Sequence, residues 1–208
     1  MSRIAMLCGL IVSLWAVVAQ AHPIDDYLVL VDQASVNPRQ ADYVSLRKAY
    51  YAVLSAPDDQ RRNKMADDID AAKSAFDAAR ARGSLDLAET YLKNYLRLTF
   101  GSILNQRAAA IFYERERSNP TRAAEHRWIA DQMLDAILKL GDGKSPQTAY
   151  QATSVREEYL VMERLGLQVR GQALMHDRGH HYDMLRGAPA KQPGGPEQQV
   201  YFDISSFF

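Results

Sequence analysis

The spacing of apolar residues changes near residue 140, and this change divides the chain into two parts. Before it, apolar side chains recur every three or four positions, as they do in amphipathic helices. The pattern predicts five helices, over residues 41–55, 58–82, 85–100, 102–117 and 121–140. Because Gly83, Gly101 and Pro120 allow only short breaks between them, the helices are expected to form antiparallel hairpins.

Part of this helical pattern resembles tetratricopeptide spacing. Ala72, Phe76 and Ala79 fit the second helix of such a repeat, and Leu87 and Tyr91 fit a first helix. No fixed period links the two sets, because the helices differ in length. Generic packing of small and aromatic side chains explains the spacing equally well, so both interpretations stay open.

After residue 140 the apolar residues alternate in short segments, which predicts strands. The predicted strands cover residues 148–154, 167–175, 182–186 and 200–204. A short helix over residues 155–165 separates the first two, with Tyr159, Met162 and Leu165 expected to face inward. Residues 187–199 are rich in Gly, Pro and Gln, which indicates a long loop. The predicted fold class is therefore α+β, with helical hairpins followed by a small antiparallel sheet and one packed helix.

The first 21 residues have the three regions of a secretory signal peptide. Arg3 precedes an apolar run over residues 4–18, and Ala19 and Ala21 form a small-x-small cleavage site. The run is shorter than the roughly 20 residues of a spanning helix, so cleavage after Ala21 is predicted rather than a membrane anchor. The predicted organisation is a signal peptide (1–21), a helical domain (22–140) and a small α+β domain (141–208), in a periplasmic or secreted protein.

Composition narrows the chemistry of the mature chain. The only cysteine, Cys8, lies in the predicted signal peptide. Disulfide bonds, thiol catalysis and cysteine-ligated metal sites are therefore excluded after cleavage. Basic and acidic residues balance in number, which argues against a nucleic-acid partner. The mature chain has no second long apolar run, so no membrane span is expected.

Residues 143–145 read GKS, the last three letters of a phosphate-binding loop. That loop requires G-x4-G-K-[ST] after a strand and before a helix. The first glycine belongs at position 138, which is Leu138, and the segment before it is predicted to be helical. Nucleotide binding is therefore not expected. The sequence instead predicts a helix that ends at Gly141 in a left-handed cap, followed by a tight turn at Asp142 and Gly143.

The segment HDRGHHYD, residues 176–183, contains the candidate metal ligands His176, His180, His181 and Asp183. Imidazole and carboxylate groups of this kind bind zinc or copper. On an extended backbone His181 and Asp183 point to one side and His180 to the other, while His176 approaches across a hairpin. No H-x3-H or H-E-x-x-H pattern accompanies them. The sequence therefore predicts no metal, no cofactor and no catalytic residue, and keeps these four side chains as metal candidates.

Glu157 and Glu158 form a second acidic candidate. Adjacent residues on a helix diverge by about 100°, so the two carboxylates are not expected to share one substrate. They are expected either to face solvent or to lie in the first turn of the helix, where its dipole favours negative charge.

Several blocks of the chain resemble the DUF4919 (domain of unknown function 4919) family of bacterial proteins. They are DYVSLRKAYY in the first half and GDGKSPQTAY, EEYLVMERLGL, GQAL, GHHYDML and VYFDIS in the last third. The blocks occur in order over most of the mature chain. Many members of the family carry signal peptides. The resemblance implies no activity and no catalytic residues, because none is established for the family.

Two functions are consistent with these observations. The first is a non-enzymatic exported protein that binds another protein or serves the cell envelope, because no nucleophile motif, cofactor loop or charge asymmetry is present. The second is a metal-dependent or histidine-based hydrolase that uses the cluster from His176 to Asp183. An enzyme is expected to gather those groups in a concave pocket, whereas a binding protein is expected to leave them scattered on a turn.

Overall fold

The computed structural model describes residues 22–57, 59–192 and 194–207. The predicted signal peptide and its cleavage site at Ala21 lie outside these residues. The helices are α1 Pro23–Val36, α2 Tyr43–Ser55, α3 Gln60–Ala81, α4 Leu85–Thr99, α5 Ile103–Arg115, α6 Pro120–Leu140 and α7 Val155–Arg164. The strands are β1 Tyr150–Gln151, β2 Leu167–Asp177, β3 His180–Pro189 and β4 Gln198–Asp203. The α+β class is confirmed.

The five predicted N-terminal helices correspond to α2–α6, but α1 was not predicted. Its buried residues Ile24, Tyr27, Val31 and Ala34 follow helical spacing. Other apolar residues occupy positions 28–30 between them, so the run YLVLV has no clear period. Val29 is in fact exposed to solvent. Because apolar residues also occupy exposed positions of α1, its sequence shows no clear helical period.

The N-terminal helices pack largely as neighbouring pairs. α3 lies against α4 and α5 against α6, while α2 contacts both α1 and α6. Five of these six helices are preceded by a residue whose side chain accepts a backbone N–H from the first turn, namely His22, Asp42, Asp59, Ser102 and Asn119. Such caps stabilise a helix end by about 1 kcal/mol each. The contacts between neighbouring helices show the predicted hairpin arrangement. The tetratricopeptide relationship stays a prediction.

The four strands form one sheet in the order β1-β4-β3-β2. The β2–β3 and β3–β4 pairs are antiparallel, and the short β1 runs parallel to β4. β1 precedes α7 and the β2–β3 hairpin in the chain, but in the sheet it lies beside the last strand, β4, and runs in the same direction. β2 and β3 are connected by Arg178 and Gly179, which both have positive φ, as a two-residue hairpin turn requires.

One hydrophobic core cluster contains residues from both sides of the predicted boundary at residue 140. It includes Tyr27 and Leu46 from the helices, Met162 from α7, and Leu185 and Phe202 from the sheet. A second cluster lies among α3–α6 around Leu92 and Phe112. The division into two domains stays a prediction. In the described part of the chain, no helix combines the length and apolarity needed to cross a membrane.

Two local predictions in the second half were wrong. Tyr159 and Leu165 are exposed rather than inward-facing, although Met162 is buried. The buried face of α7 is rotated because the helix lies between the sheet and α6. Gly141 adopts an extended conformation with φ −161°, and Gly143 takes the left-handed one with φ +65°. The chain leaves α6 without a left-handed cap and turns two residues later.

Candidate functional site

The histidine hairpin brings two of the four metal candidates together. His176 and His181 are directly paired across β2 and β3, and their ring centroids lie 4.7 Å apart. His180 points to the opposite face of the sheet. Its Nδ1 lies 3.4 Å from Asp203 Oδ2 and its ring stacks on Tyr182. The alternation expected from the sequence is therefore present, and it separates His180 from the other two rings.

Asp183 is the fourth candidate, and it lies in a different environment. Its side chain is buried and accepts a hydrogen bond from Gln172 Nε2. The described residues contain no group of three or more His, Cys, Asp or Glu side chains arranged to hold a metal ion. The ionisable neighbour of Asp183 is instead Glu158, with which its carboxyl interacts by a hydrogen bond, and burial raises the pKa of Asp183.

Arg47, Glu157, Glu158 and Asp183 form a buried group that we call the charged joint. Arg47 on α2 is fully buried and pairs with both carboxylate oxygens of Glu157, with Nη1 3.1 Å from Oε1. Arg47 Nη1 also donates to the carbonyl oxygen of Gly101 at 2.8 Å. Glu157 accepts two further bonds from Thr153, from its amide at 2.9 Å and from its hydroxyl at 2.8 Å. The ion pair therefore has several of the additional hydrogen bonds that a buried pair needs, although Arg47 Nε has no partner among the described residues.

The burial of Glu157 and Glu158 overturns the expectation that they face solvent. Both are 1% exposed or less, although they do lie in the first turn of α7. Their environments differ, because Glu157 is paired with Arg47, whereas the carboxyl of Glu158 faces that of Asp183, to which it is hydrogen-bonded in its protonated form. Burial, and next the carboxyl of Asp183, raise the pKa of Glu158 to about 9. Glu158 is therefore neutral at pH 7.

The charged joint connects elements that are far apart in the sequence. Arg47 belongs to α2, the two glutamates to α7 and Asp183 to β3, so the group fixes α7 between the helices and the sheet. The residues that line four cavities of the described structure do not include any of these four side chains. The raised pKa values of Glu158 and Asp183 are of the kind found at functional sites, but all four side chains are buried.

A cavity of about 360 Å³ opens instead among α1, α4, α5 and α6. We call it the helical cleft. Its floor consists of buried side chains, namely Ala34, Leu96, Phe100, Tyr113, His126 and Ile129. Its rim consists of more exposed polar and charged side chains, namely Asp32, Ser35, Lys93, Asn94, Arg97, Arg122 and Glu125. An apolar floor with a few polar groups is typical of small-ligand sites.

The three cations of the rim differ in their partners. Lys93 Nζ lies 3.0 Å from Glu89, and Arg97 binds both carboxylate oxygens of Asp32 at 3.0 Å. The guanidinium of Arg122 lies 5.6 Å from the centre of the Tyr113 ring and forms no ion pair within the described ranges. Arg122 is therefore the rim cation that is available to an anion.

His126 is the titratable group on the floor of the cleft. Its ring stacks on Tyr113, with centroids 5.2 Å apart and planes inclined by 7°. Its Nδ1 lies 2.7 Å from Gln106 Oε1. Burial, and next the positive charge of Arg122, lower the pKa of His126 to about 4. The imidazole is therefore neutral at physiological pH.

The helical cleft was not predicted from the sequence. His126 lies three residues before Ile129 and seven before Met133, which places it on the buried face of α6. This position was a signal that the histidine is buried, whereas nothing in the sequence indicated that α1 and α4 leave a cavity above it.

Residues 141–145, which resemble a phosphate loop, form a turn in which Asp142 Oδ1 accepts bonds from Lys144 N and Thr148 Oγ1.

Comparison with known proteins gives one match. The family model of DUF4919, a domain of unknown function, matches residues 41–208. No curated protein matches the chain. No solved structure matches it either.

Proposed function

The chain belongs to the DUF4919 family, and from its own geometry we propose that it is a non-enzymatic exported protein that binds a small anion in the helical cleft. The observation that carries this proposal is the guanidinium of Arg122, which stands unpaired at the rim of a cavity with a buried floor. A cation without a carboxylate partner attracts an anionic group, and an aromatic and apolar floor accommodates the rest of a small molecule.

The size of the cleft favours a small molecule as its ligand. Pockets that bind small molecules measure about 300–1,000 Å³, and the helical cleft lies near the lower limit at about 360 Å³. Lys93 and Arg97 add positive charge beside Arg122, although each is paired with a carboxylate. A protein partner in the cell envelope stays a prediction to which no surface is assigned.

The assignment as a binding protein also has a chemical reason. The cleft contains His126, but no serine, threonine or carboxylate is hydrogen-bonded to its ring in the described structure; its Nδ1 partner is the amide of Gln106. A histidine that activates a nucleophile needs that nucleophile within hydrogen-bond distance. The cleft therefore has the groups for recognition and lacks this pairing for catalysis.

Calorimetric titration with four anions tests the proposal. Malate, succinate, phosphate and sulfate are the probes, and at least one is expected to bind and to raise the melting temperature. Saturation at a hundredfold excess over Kd stabilises a protein by about 2.7 kcal/mol. The variant Arg122→Gln should weaken binding of every probe.

The matched control is Arg127→Gln, five residues further along α6. Arg127 pairs with Glu114 and does not line the cleft, so this variant should bind like the unmodified protein. Failure of all four anions to bind would contradict the proposal, and so would equal losses in the two variants.

Export is tested separately by the intact mass of the protein from its native host. Cleavage after Ala21 gives a mature chain that begins at His22. In the structure His22 Nδ1 accepts the amide of Ile24 at the start of α1, and its Nε2 lies 2.7 Å from Asp59. A mass that includes residues 1–21, with the protein retained in the membrane, would contradict export.

A further inference from the structure

The buried amide of Gln106 has a fixed orientation. Its Nε2 donates to the backbone carbonyl oxygen of Phe100 at 2.9 Å. A carbonyl oxygen only accepts hydrogen bonds, so the NH2 group must face Phe100. The amide oxygen Oε1 consequently faces His126, where it lies 2.7 Å from Nδ1.

This orientation fixes the tautomer of His126. Because Gln106 Oε1 is an acceptor, the hydrogen of the neutral imidazole must be on Nδ1. The lone pair is then on Nε2. Burial keeps the ring neutral by lowering its pKa to about 4. At Nε2 of His126, the floor of the cleft therefore presents a hydrogen-bond acceptor and no donor.

The Nε2 atom is free to meet a ligand. It has no hydrogen-bond partner among the described residues. Unlike the inaccessible atoms that lack a partner, it retains accessible surface. His126 itself is 8% exposed and lines the helical cleft. The acceptor is therefore accessible, on a side chain that lines the cavity.

Arg122 and His126 lie one turn apart on the same face of α6, a spacing at which Cβ atoms are about 6 Å apart. Both side chains also contact Tyr113, the imidazole by stacking and the guanidinium at 5.6 Å from the ring centre. A single small ligand therefore meets a cation and a neutral acceptor together.

Resting on the function proposed above, we infer that the anion of the helical cleft carries its own O–H donor close to its negative charge, and that His126 Nε2 accepts this hydrogen bond. Hydroxycarboxylates and hydrogen phosphate have this chemistry. An ammonium donor is disfavoured at Nε2, because the guanidinium of Arg122 lies one helical turn from His126 without an ion pair, whereas Lys93 and Arg97 are each paired with a carboxylate. His126 is thus the residue that selects among anions which Arg122 attracts.

Two pairs of probes test this inference, because each pair differs in the donor. Malate has a hydroxyl that succinate lacks, and hydrogen phosphate has a proton that sulfate lacks. Calorimetry at pH 7 is expected to show that malate or phosphate binds about tenfold more tightly than its partner, because the partner leaves Nε2 unpaired. In His126→Phe, which keeps an aromatic ring beside Tyr113, the preference should disappear. The preferred pair identifies the ligand class as carboxylate or phosphate.

A nuclear magnetic resonance measurement on the unmodified protein tests the tautomer without any variant. Long-range correlation of the imidazole nitrogens with the ring protons should show His126 protonated at Nδ1, and the Nε2 resonance should shift when the preferred anion is added. Protonation at Nε2 would overturn the inference even if His126→Phe fails to fold. Equal affinities within both pairs would overturn the inference and leave the proposed function intact, whereas no binding by any of the four probes would overturn both.

Discussion

The charged joint and the helical cleft both bury titratable groups, and they differ in what those groups can reach. In the joint, Arg47 pairs with Glu157 and Glu158 faces Asp183, and none of them lines the helical cleft. In the cleft, His126 keeps one nitrogen accessible below an unpaired Arg122. Burial raises the pKa of Glu158 and lowers that of His126. A perturbed pKa therefore marks both regions, and access to a free atom distinguishes a ligand site from a structural one.

The largest expected effect comes from the joint. Arg47→Met leaves the carboxylate of Glu157 buried without its cation, and breaking a buried pair in this way costs about 3–5 kcal/mol. Urea denaturation should show a loss of this size in the free energy of unfolding. The matched control is Arg97→Met in the exposed pair with Asp32, which should cost no more than about 1 kcal/mol.

A double variant, Arg47→Met with Glu157→Leu, separates lost charge from lost packing. Replacing a whole buried pair with apolar side chains is often neutral or stabilising, so the double variant should recover much of the loss. Equal effects of Arg47→Met and Arg97→Met would show that the joint is not closed to water.

The second effect depends on pH and concerns Glu158. Its pKa is about 9 in the folded state and about 4.3 in an unfolded chain. Between these two pKa values the carboxyl is protonated in the folded state and ionised in the unfolded chain. The contribution of this carboxyl to the free energy of unfolding is therefore complete below about pH 4.3 and is lost as the pH rises through about 9. Glu158→Gln cannot ionise, so its stability relative to the unmodified protein should increase with pH between about pH 5 and pH 8, by up to about 1.4 kcal/mol per pH unit.

Denaturation at several pH values measures this difference. Glu163→Gln is the control, because Glu163 lies on the same helix and is exposed. It should follow the unmodified protein at every pH. A difference between Glu158→Gln and the unmodified protein that stays constant with pH would show that Glu158 is already ionised in the fold.

The sequence predicted the two layers of the fold better than the contacts between them. Helical period located α2–α6, and alternation located β2 to β4. Glu158 was expected either to face solvent or to lie in the first turn of its helix, and burial was not expected. It is buried because α7 packs on two sides, against α6 and β2, and such packing is a tertiary property that local spacing does not contain.

The same argument applies to the two sites. Arg47 lies among Tyr43, Leu46 and Tyr50 on the buried face of α2, and His126 lies on the buried face of α6. A polar side chain on a buried face needs hydrogen-bond or ion-pair partners from elsewhere in the fold. Those partners, Glu157 and Gln106, are 110 and 20 residues away in the chain. Spacing along a single helix could not identify them.

A third and smaller effect is expected at the floor of the cleft. Gln106→Leu removes the acceptor of His126 Nδ1 and the donor to Phe100. Leaving buried polar groups unpaired costs about 1–3 kcal/mol, which urea denaturation should detect. Gln33→Leu at an exposed position of α1 is the control and should change stability by less than about 0.5 kcal/mol. A loss as small as that of the control would mean that water replaces Gln106, and that the tautomer of His126 is not fixed.

The smallest effect on stability is expected at the rim of the cleft. Arg122 is exposed and its contact with Tyr113 is a cation–π interaction, which contributes about 0.5–1 kcal/mol at exposed sites. Arg122→Gln should therefore lower the free energy of unfolding by less than about 1 kcal/mol, while its affinity for the preferred anion falls about tenfold or more because the unpaired cation is lost. Arg47→Met should show the opposite profile, with a large loss of stability and unchanged anion affinity in the fraction that remains folded. Calorimetry and denaturation on the same two samples measure both quantities. If Arg122→Gln lost stability and kept its affinity, the cleft would be a structural region like the joint, and the distinction between the two would fail.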